Sequence, residues 1–343
     1  MINQLSTTSK LGFALLLASI TLVTSCGDAN QTVDAPLGTD AADANRIDAT
    51  TLFRIQGTLM VDGRTRTFLV NLPPSYDAMA SLPLIIAMHG GGGSAAQFES
   101  SNLLTPKTNQ ANYIVVYPDG VAAPGQLGLR TWNGGACCGY ASENNIDDVK
   151  FIRELITYLA ANFKINTKLV YATGHSNGGI MSYRLACELS DRIAAISPNA
   201  AAMLLPTCTP TRPVPLQHTH SRPDTNVPTL GGVGTGPSSN VAWPATMDVL
   251  NQWVTINGCA TPPVVTLGPA PQRSLVRSIL GTNFTRTRWN QCASGSEVDY
   301  YLTEDGGHAW PGGLAGSPMG DQPSTAIDKN DLMLEFFSRH ELP

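Results

Sequence analysis

The chain has 343 residues, of which 42% are hydrophobic and 14% are charged, with a formal net charge of -5. This composition is typical of a chain with a packed core and excludes wholesale disorder. The weak negative charge and the absence of any basic stripe give no electrostatic basis for binding nucleic acid, and we expect none.

The N-terminal residues have the pattern of an export signal. Lys10 precedes an apolar run over residues 11–23, which is too short to span a bilayer stably. Small residues end this run just before Cys26, a pattern that resembles a bacterial lipobox. We therefore expect residues 1–25 to be a lipoprotein signal peptide. The alternative is ordinary signal cleavage near an unmodified cysteine.

A lipid on Cys26 would hold the protein at a membrane surface without spanning it. The expected location is therefore extracellular or at the cell surface. Residues 26–50 are rich in Asp, Ala, Thr and Asn and poor in large apolar groups, which is typical of a flexible tether. We expect one catalytic domain over residues 51–343.

The remaining cysteines also fit an exported protein, because an even number favours disulfides. They are Cys137, Cys138, Cys187, Cys208, Cys259 and Cys292. We expect Cys259 to pair with Cys292, which leaves the adjacent Cys137 and Cys138 to pair with Cys187 and Cys208. Partly free, buried thiols are the alternative. Adjacent cysteines are poorly spaced for zinc, and we expect no metal site.

The domain begins with a hairpin signal and then alternates strands with helices. Residues 58–61 and 65–70 flank Asp62-Gly63, a strong hairpin turn sequence. Strands are predicted over residues 84–88, 113–117, 169–172, 193–196, 214–218 and 297–302. Helices are predicted over residues 147–163, 177–189, 248–256 and 326–339, and a surface loop over residues 230–239. This alternation predicts an α/β fold with a mostly parallel central sheet and helices on both faces.

The sharpest motif is Gly174-His175-Ser176-Asn177-Gly178, a G-x-S-x-G sequence between a predicted strand and a predicted helix. This is the context of the nucleophile elbow of α/β-hydrolases. The flanking glycines allow the tight turn, because they carry no Cβ that would clash. We predict that Ser176 is a nucleophile. A glycine-serine turn without a catalytic role is the alternative.

A serine hydroxyl needs a base, and in this fold the acid and then the histidine follow the serine along the chain. We prefer His308 as the base, because it follows a predicted strand in a glycine-rich loop. The other histidines after Ser176 are His218, His220 and His340. Asp224, in the loop after the strand at residues 214–218, is the preferred acid. Its rivals are Asp191, Asp248, Glu297, Asp299 and Asp305.

An oxyanion hole requires two backbone donors. The first is predicted to be the N–H of Asn177, which follows the serine. The second is predicted to be the N–H of Gly91, in the glycine run after His89. This run is not a phosphate loop, since it lacks the G-K-[ST] ending. The predicted chemistry is acyl transfer through an acyl-enzyme, without a cofactor.

At these residues the sequence resembles the polyhydroxybutyrate depolymerase and feruloyl esterase family, including its exported bacterial lipoproteins. The matching segments are His89-Gly90 with its glycine run, Tyr117-Pro118-Asp119-Gly120, Trp132-Asn133, Cys137-Cys138-Gly139, Asp147-Asp148-Val149, Gly174-His175-Ser176-Asn177-Gly178-Gly179 and Gly307-His308-Ala309-Trp310-Pro311-Gly312. The resemblance covers residues 52–340. It implies the α/β-hydrolase fold and catalytic residues at Ser176, Asp224 and His308.

One stretch departs from the family. In His220-Ser221-Arg222-Pro223-Asp224, Ser221 replaces a glycine and Pro223 stiffens the loop that carries the acid.

Trp132 and Trp310 are interpreted either as walls of a substrate cleft or as core residues.

The resemblance implies an ester substrate, either hydroxycinnamoyl (feruloyl) or acetyl groups on plant polysaccharide or a polyhydroxybutyrate-type polyester. Two other functions remain open. The same triad would serve an acyltransferase to a sugar acceptor. A non-catalytic, glycan-binding envelope lipoprotein is the other, although such a binder has no need of the intact serine, acid and histidine.

Overall fold

A computed structural model describes residues 53–76, 81–236, 241–268 and 283–343, all within one compact unit. The predicted signal peptide, the tether and Cys26 lie outside the described residues, as do residues 51 and 52 of the predicted domain. None of the helices within these ranges is long and apolar enough to cross a membrane.

The described chain opens with an antiparallel hairpin, β1 (Arg54–Val61) and β2 (Arg64–Asn71). Asp62 and Gly63 form its turn and have φ angles of 50° and 72°. Positive φ at both turn residues is the requirement that Asp-Gly meets most readily. The predicted hairpin is therefore present, and its two strands extend beyond the predicted residues.

The other strands follow in chain order. They are β3 (Leu82–Met88), β4 (Ile114–Pro118), β5 (Val121–Ala122), β6 (Arg130–Thr131), β7 (Ile165–His175), β8 (Ala195–Asn199), β9 (Leu216–Ser221), β10 (Gly232–Val233), β11 (Ala242–Trp243), β12 (Val264–Gly268), β13 (Phe284–Trp289) and β14 (Val298–Thr303). Ten of the described strands form one sheet in the order β1-β2-β4-β3-β7-β8-β9-β14-β13-β12. The six strands from β4 to β14 in this order are parallel, whereas the strands at both edges are antiparallel.

Helices cover both faces of this sheet. They are α1 (Ala95–Asn102), α2 (Leu104–Ala111), α3 (Gly139–Glu143), α4 (Asp148–Asn162), α5 (Asn177–Glu188), α6 (Thr246–Ile256) and α7 (Lys329–Phe337). In β3, Leu84 and Ile86 belong to the core shared with α4, α5 and α6. Ile85 and Ala87 point the other way, into the core shared with α1, α2 and α7. The predicted fold class, a mostly parallel sheet between two helical layers, is confirmed.

Some elements of the structure were not predicted. The helices α1, α2 and α3 are eight, eight and five residues long and largely polar, so they lack the apolar periodicity of a predicted helix. The antiparallel strands β12 and β13 were not predicted, because four of the five residues of β12 are exposed and most of β13 is half-buried. Neither strand therefore carries the continuous apolar run of a buried strand. Residues 230–236 of the predicted loop at residues 230–239 are described and contain β10, which pairs with β11, whereas residues 237–239 lie outside the described residues.

The described cysteines form three disulfides: Cys137–Cys138, Cys187–Cys208 and Cys259–Cys292. The bond between Cys259 and Cys292 is the expected one. The expected bonds from the adjacent pair to Cys187 and Cys208 require correction. Cys187 bonds to Cys208, and their Cα atoms lie 5.1 Å apart, an ordinary separation for a disulfide. The adjacent Cys137 and Cys138 bond to each other.

Candidate active site

Ser176 occupies the turn between β7 and α5, at the carboxyl end of a central strand. Its φ of 54° and ψ of -121° lie outside the conformations that non-glycine residues usually adopt. A Cβ on Gly174 would clash with the backbone of Gly178, and a Cβ on Gly178 would clash with the carbonyl of Met88. The two glycines are therefore required for the turn that projects Ser176 from the sheet.

His308 lies in the loop after β14, beside this turn. Its ring centroid is 4.6 Å from that of His175, the residue preceding the serine. His308 Nδ1 donates to Asp224 Oδ2 over 2.7 Å, so Nε2 is the nitrogen left to accept a proton. The backbone N–H of His308 donates to Asp321 Oδ2 over 2.6 Å, which fixes the loop on its other side.

Asp224 is buried at the start of the loop after β9. Its Oδ1 accepts the backbone N–H groups of Asn226 and Val227, each over 2.9 Å. Burial acts to raise the pKa of this carboxyl, but hydrogen bonds from His220 and His308 outweigh it and hold the pKa well below its ordinary range. Asp224 is therefore an anion at neutral pH.

The departure from the family at Ser221 leaves Asp224 in contact with His308. Ser221 Oγ is 2.9 Å from Thr303 Oγ1 on the neighbouring strand β14. The serine side chain is thus accommodated between the strands, and the loop that follows brings its carboxylate to the histidine.

The rival acids have other partners or positions. Asp299 pairs with Arg286, Glu297 with Arg288, Arg339 and His340, Asp305 with Ser324 and Thr325, and Asp191 with Arg192 at the surface. Asp248 lies in the first turn of α6. Only Asp224, among the described carboxylates, accepts a hydrogen bond from the side chain of His308.

The glycine run after β3 packs against the elbow. A Cβ on Gly90 would lie 3.5 Å from Ser176 Cβ, and one on Gly91 would lie 3.7 Å from Asn177 Cβ. No backbone hydrogen bond within the described ranges uses the N–H of Gly91 or of Asn177. The backbones of Gly91 and Asn177 are therefore neighbours, each with an N–H group that can bind an oxyanion.

His89 anchors this glycine run, a role that the sequence analysis did not identify. Its Nε2 accepts the N–H of Gly120 over 3.0 Å, so its Nδ1 carries the proton donated to Gly90 O over 2.7 Å. Burial lowers the pKa of His89 to about 4, which keeps the ring neutral at pH 7. The contact links two of the family motifs, the His-Gly run and the Tyr-Pro-Asp-Gly segment.

Trp132 lies in the core rather than on a cleft wall. Its side chain is fully buried and stacks on Phe151, with ring centroids 6.5 Å apart. Its indole N–H donates to His89 O over 3.1 Å. The side chain of Asn177 bonds to the backbone of Trp132. Asn177 Oδ1 accepts the backbone N–H of Trp132 over 2.7 Å, and Asn177 Nδ2 donates to the backbone carbonyl of Trp132 over 2.9 Å. Trp132 thus supports the glycine run and the elbow from beneath.

Trp310 contributes to the cleft but is also largely buried. Its indole N–H donates to Asn330 Oδ1 over 3.0 Å, and its ring makes an edge contact with Phe98. The cleft has a volume of about 500 Å³ and is lined by the glycine run, His175, His308, Trp310 and part of residues 314–321. Leu314 and Met319 in this last segment are exposed and give the cleft an apolar side.

Asn199 is a second residue that no motif indicated. Its Oδ1 accepts the hydroxyl of Thr219 over 2.8 Å, which identifies Nδ2 as the donor to Ala309 O over 2.9 Å. Nδ2 also lies 2.9 Å from His175 Nδ1. Asn199 therefore joins the elbow to the loop that carries His308. The sequence could not predict this contact, because it depends on the register of β7 with β8, which places His175 opposite Asn199.

A strained serine between a parallel strand and a helix, beside a histidine–aspartate pair, places this protein among the α/β-hydrolases. The Esterase family model matches residues 60–255, more than half of the chain, and the chain belongs to this family.

Its relatives include feruloyl esterases. The chain is 28% identical over 257 residues to feruloyl esterase B of Piromyces equi, an alignment that covers 73% of this chain and 44% of that protein. The chain thus spans less than half the length of that relative. It is 26% identical over 262 residues to feruloyl esterase D of Neurospora crassa, covering 73% and 76% of the two chains.

Solved structures share the fold. The acetyl xylan esterase from Aspergillus awamori matches with a TM-score of 0.55 at 14% identity, over 82% of this chain and 98% of its own. An S-formylglutathione hydrolase from Agrobacterium tumefaciens matches with a TM-score of 0.51 at 11% identity, over 83% and 95%. These likenesses agree with the α/β-hydrolase architecture.

Proposed function

We propose that this protein is a serine carboxylic-ester hydrolase that acts through an acyl-enzyme on Ser176. The observation that carries the proposal is the pair of His308 and Asp224, which lies beside the elbow and leaves His308 Nε2 as a proton acceptor. Membership of the Esterase family supports the choice of reaction class.

In the first step, His308 Nε2 takes the proton of Ser176 as Oγ bonds to the ester carbonyl carbon. The carbonyl oxygen becomes an oxyanion and accepts hydrogen bonds from the backbone N–H groups of Asn177 and Gly91. The carboxylate of Asp224 stabilises the imidazolium that forms. The carbon–oxygen bond to the alcohol then breaks, and the alcohol leaves with the proton from His308.

In the second step, water hydrolyses the acyl-enzyme. His308 removes a proton from water, whose oxygen bonds to the acyl carbon, and the bond to Ser176 Oγ breaks as His308 returns the proton to the serine. The carboxylic acid is released and the enzyme is regenerated. Asp224 remains ionised throughout, in keeping with its lowered pKa.

The proposed substrates are hydroxycinnamoyl or acetyl esters of plant polysaccharide, with polyhydroxybutyrate-type polyesters as a further ester class. The feruloyl esterase relatives support the hydroxycinnamoyl choice. The apolar side of the cleft, with Leu314 and Met319, also suits a flat aromatic acyl group.

We further propose that the enzyme is exported and anchored through Cys26, on the strength of the apolar run and the small residues before this cysteine. Metabolic labelling with a fatty acid in a bacterial host should mark the wild type and spare Cys26→Ser. Labelling of both proteins, or of neither, would contradict the anchor.

The activity is tested with the full chain in detergent, on p-nitrophenyl acetate and methyl ferulate. We expect hydrolysis of both esters by the wild type and by the exposed-site control Ser338→Ala. Ser176→Ala should lower kcat by about 10⁴-fold or more, because the nucleophile is lost. Retention of kcat within tenfold of the wild type by folded Ser176→Ala would contradict the proposal.

The two esters also separate the substrate classes. Cleavage of methyl ferulate supports the hydroxycinnamoyl assignment. Cleavage of the acetate alone keeps the serine mechanism and directs the assay to acetylated xylan and to polyhydroxybutyrate. Acyl product found on an added sugar in preference to free acid would replace hydrolysis by acyl transfer.

A further inference from the structure

A buried chain of polar side chains leads from Asp224 along β9 to α5. His218 and His220 lie two residues apart on β9, so the alternation of the strand places both rings on one face. Both are buried. His220 Nε2 lies 3.2 Å from Asp224 Oδ2 and 2.9 Å from Val227 O.

The chain continues into the helical layer. His220 Nδ1 is 3.1 Å from His218 Nε2, and His218 Nδ1 is 2.9 Å from the hydroxyl of Tyr183 on α5. Thr246 Oγ1 is 3.4 Å from His220 Nδ1. Tyr183 is fully buried, so the chain runs through the core from the candidate acid to a phenol.

With both rings neutral, the contacts are consistent with one arrangement of protons. The carbonyl of Val227 can only accept, so His220 carries its proton on Nε2 and accepts on Nδ1. His218 must then donate from Nε2 and accept the Tyr183 hydroxyl on Nδ1. Burial lowers the pKa of His218 well below its ordinary value, which agrees with a neutral ring. The Tyr183 hydroxyl therefore donates to His218, His218 to His220, and His220 towards Asp224.

Asp224 Oδ2 lies between two histidines, His308 and His220. It accepts His308 Nδ1–H over 2.7 Å. It also shares the single His220 Nε2–H, over 3.2 Å, with Val227 O at 2.9 Å. Oδ1 is held by backbone N–H groups alone. His220 is thus the one described side chain, other than that of His308, that fixes the carboxylate oxygen on which His308 depends.

We propose that His220 is a positioning residue for the reaction, which fixes Asp224 Oδ2 and through it the orientation of His308. His218 and Tyr183 hold His220 in the tautomer that donates to the acid. This inference rests on the proposed ester hydrolysis and assigns a role to a residue outside the triad.

Loss of the His220 donor has two expected effects. Asp224 Oδ2 becomes free to turn, so His308 is held less well. The carboxylate also loses a hydrogen bond and attracts the His308 proton more strongly, which moves the acid limb of the kcat/KM profile to higher pH. Among the described residues, the titratable groups that face His308 are Asp224, His175 and Asp321. Those that interact with His220 are Asp224, His218 and His175.

The test compares His220→Asn with His220→Gln. The amide nitrogen of glutamine reaches the place of Nε2 and can donate to Asp224, whereas that of asparagine reaches only the place of Nδ1. We expect His220→Asn to lower kcat by about 10²-fold, with KM changed less than about twofold, because misplaced catalytic groups cost about this much. Its acid limb should move to higher pH. His220→Gln should keep kcat within about fivefold of the wild type.

Thermal unfolding establishes that both variants fold, and His220→Leu takes the place of His220→Asn if the latter does not. The proposal is overturned if the asparagine or leucine variant keeps its kcat and its acid limb. It is also overturned if the glutamine variant loses as much kcat as the asparagine variant, since that equality indicates packing alone.

A readout without turnover separates this inference from the proposed function. The measurement is proton NMR spectroscopy. The downfield resonance of His308 Nδ1–H should shift in His220→Asn and stay close to its wild-type position in His220→Gln. A wild type that cleaves no ester would defeat the proposed function, while the resonance would still report on His220. An unshifted resonance in His220→Asn would overturn the inference in an active enzyme.

Discussion

His308 is held or flanked by three residues from separate parts of the chain. Asp224 binds Nδ1–H, Asp321 binds the backbone N–H, and His175 lies against the ring. Burial, followed by the charge of His308, lowers the pKa of His175 well below its ordinary value, so that this neighbour stays neutral. A neutral His175 avoids placing a second positive charge beside the imidazolium that forms during catalysis.

The substitution Asp224→Asn tests the residue-scale account. Its amide group would present an N–H where His308 Nδ1 now donates, which favours the wrong tautomer of the base. We expect kcat to fall by about 10⁴-fold with little change in KM. Steady-state kinetics on p-nitrophenyl acetate measures this effect, and Asp191→Asn at the surface is the matched control. A loss of less than tenfold would show that another group orients His308.

At the scale of elements, the sequence predicted best where a single pattern determines the structure. The buried strand β3 and the helices α4 and α5 appear where apolar runs and the Gly-His-Ser-Asn-Gly turn indicated them. The order of serine, acid and histidine along the chain led to Ser176, Asp224 and His308, and the structure brings the last two into contact.

The contacts that could not be predicted depend on register and on loop paths. Asn199 reaches His175 because β7 and β8 pair at that register. Asp321 reaches His308 from the long loop between β14 and α7. His218 and His220 are adjacent on one strand face, yet only the position of α5 brings Tyr183 to them. Local periodicity contains none of this information.

At the scale of the whole molecule, Glu297 ties the C-terminal residues to the sheet. Its carboxylate accepts from Arg288 on β13 and from Arg339 and His340 after α7. Burial acts to raise the pKa of Glu297, but the hydrogen bonds from His340, Arg339 and Arg288 lower it to about 2. Its contribution to stability is therefore full above its ordinary pKa of 4.5 and is lost as the pH falls towards 2.

The variant Glu297→Gln should unfold at a temperature about 2–4 °C below the wild type at pH 7, because the ion pairs are lost. The difference should shrink as the pH falls from 5 towards about 2, since the wild-type carboxylate becomes protonated there. Thermal unfolding followed by circular dichroism across this range measures it. A difference that does not change with pH would contradict the assignment.

The central claim is that Ser176 carries the acyl group, and it is tested most directly by trapping that intermediate. The enzyme is quenched with acid during turnover of p-nitrophenyl acetate, digested, and analysed by peptide mass spectrometry. The account predicts acetylation of the peptide that contains Ser176, at the serine itself, and none in Ser176→Ala. Continued turnover with the acetyl group on another residue, or on none, would contradict it.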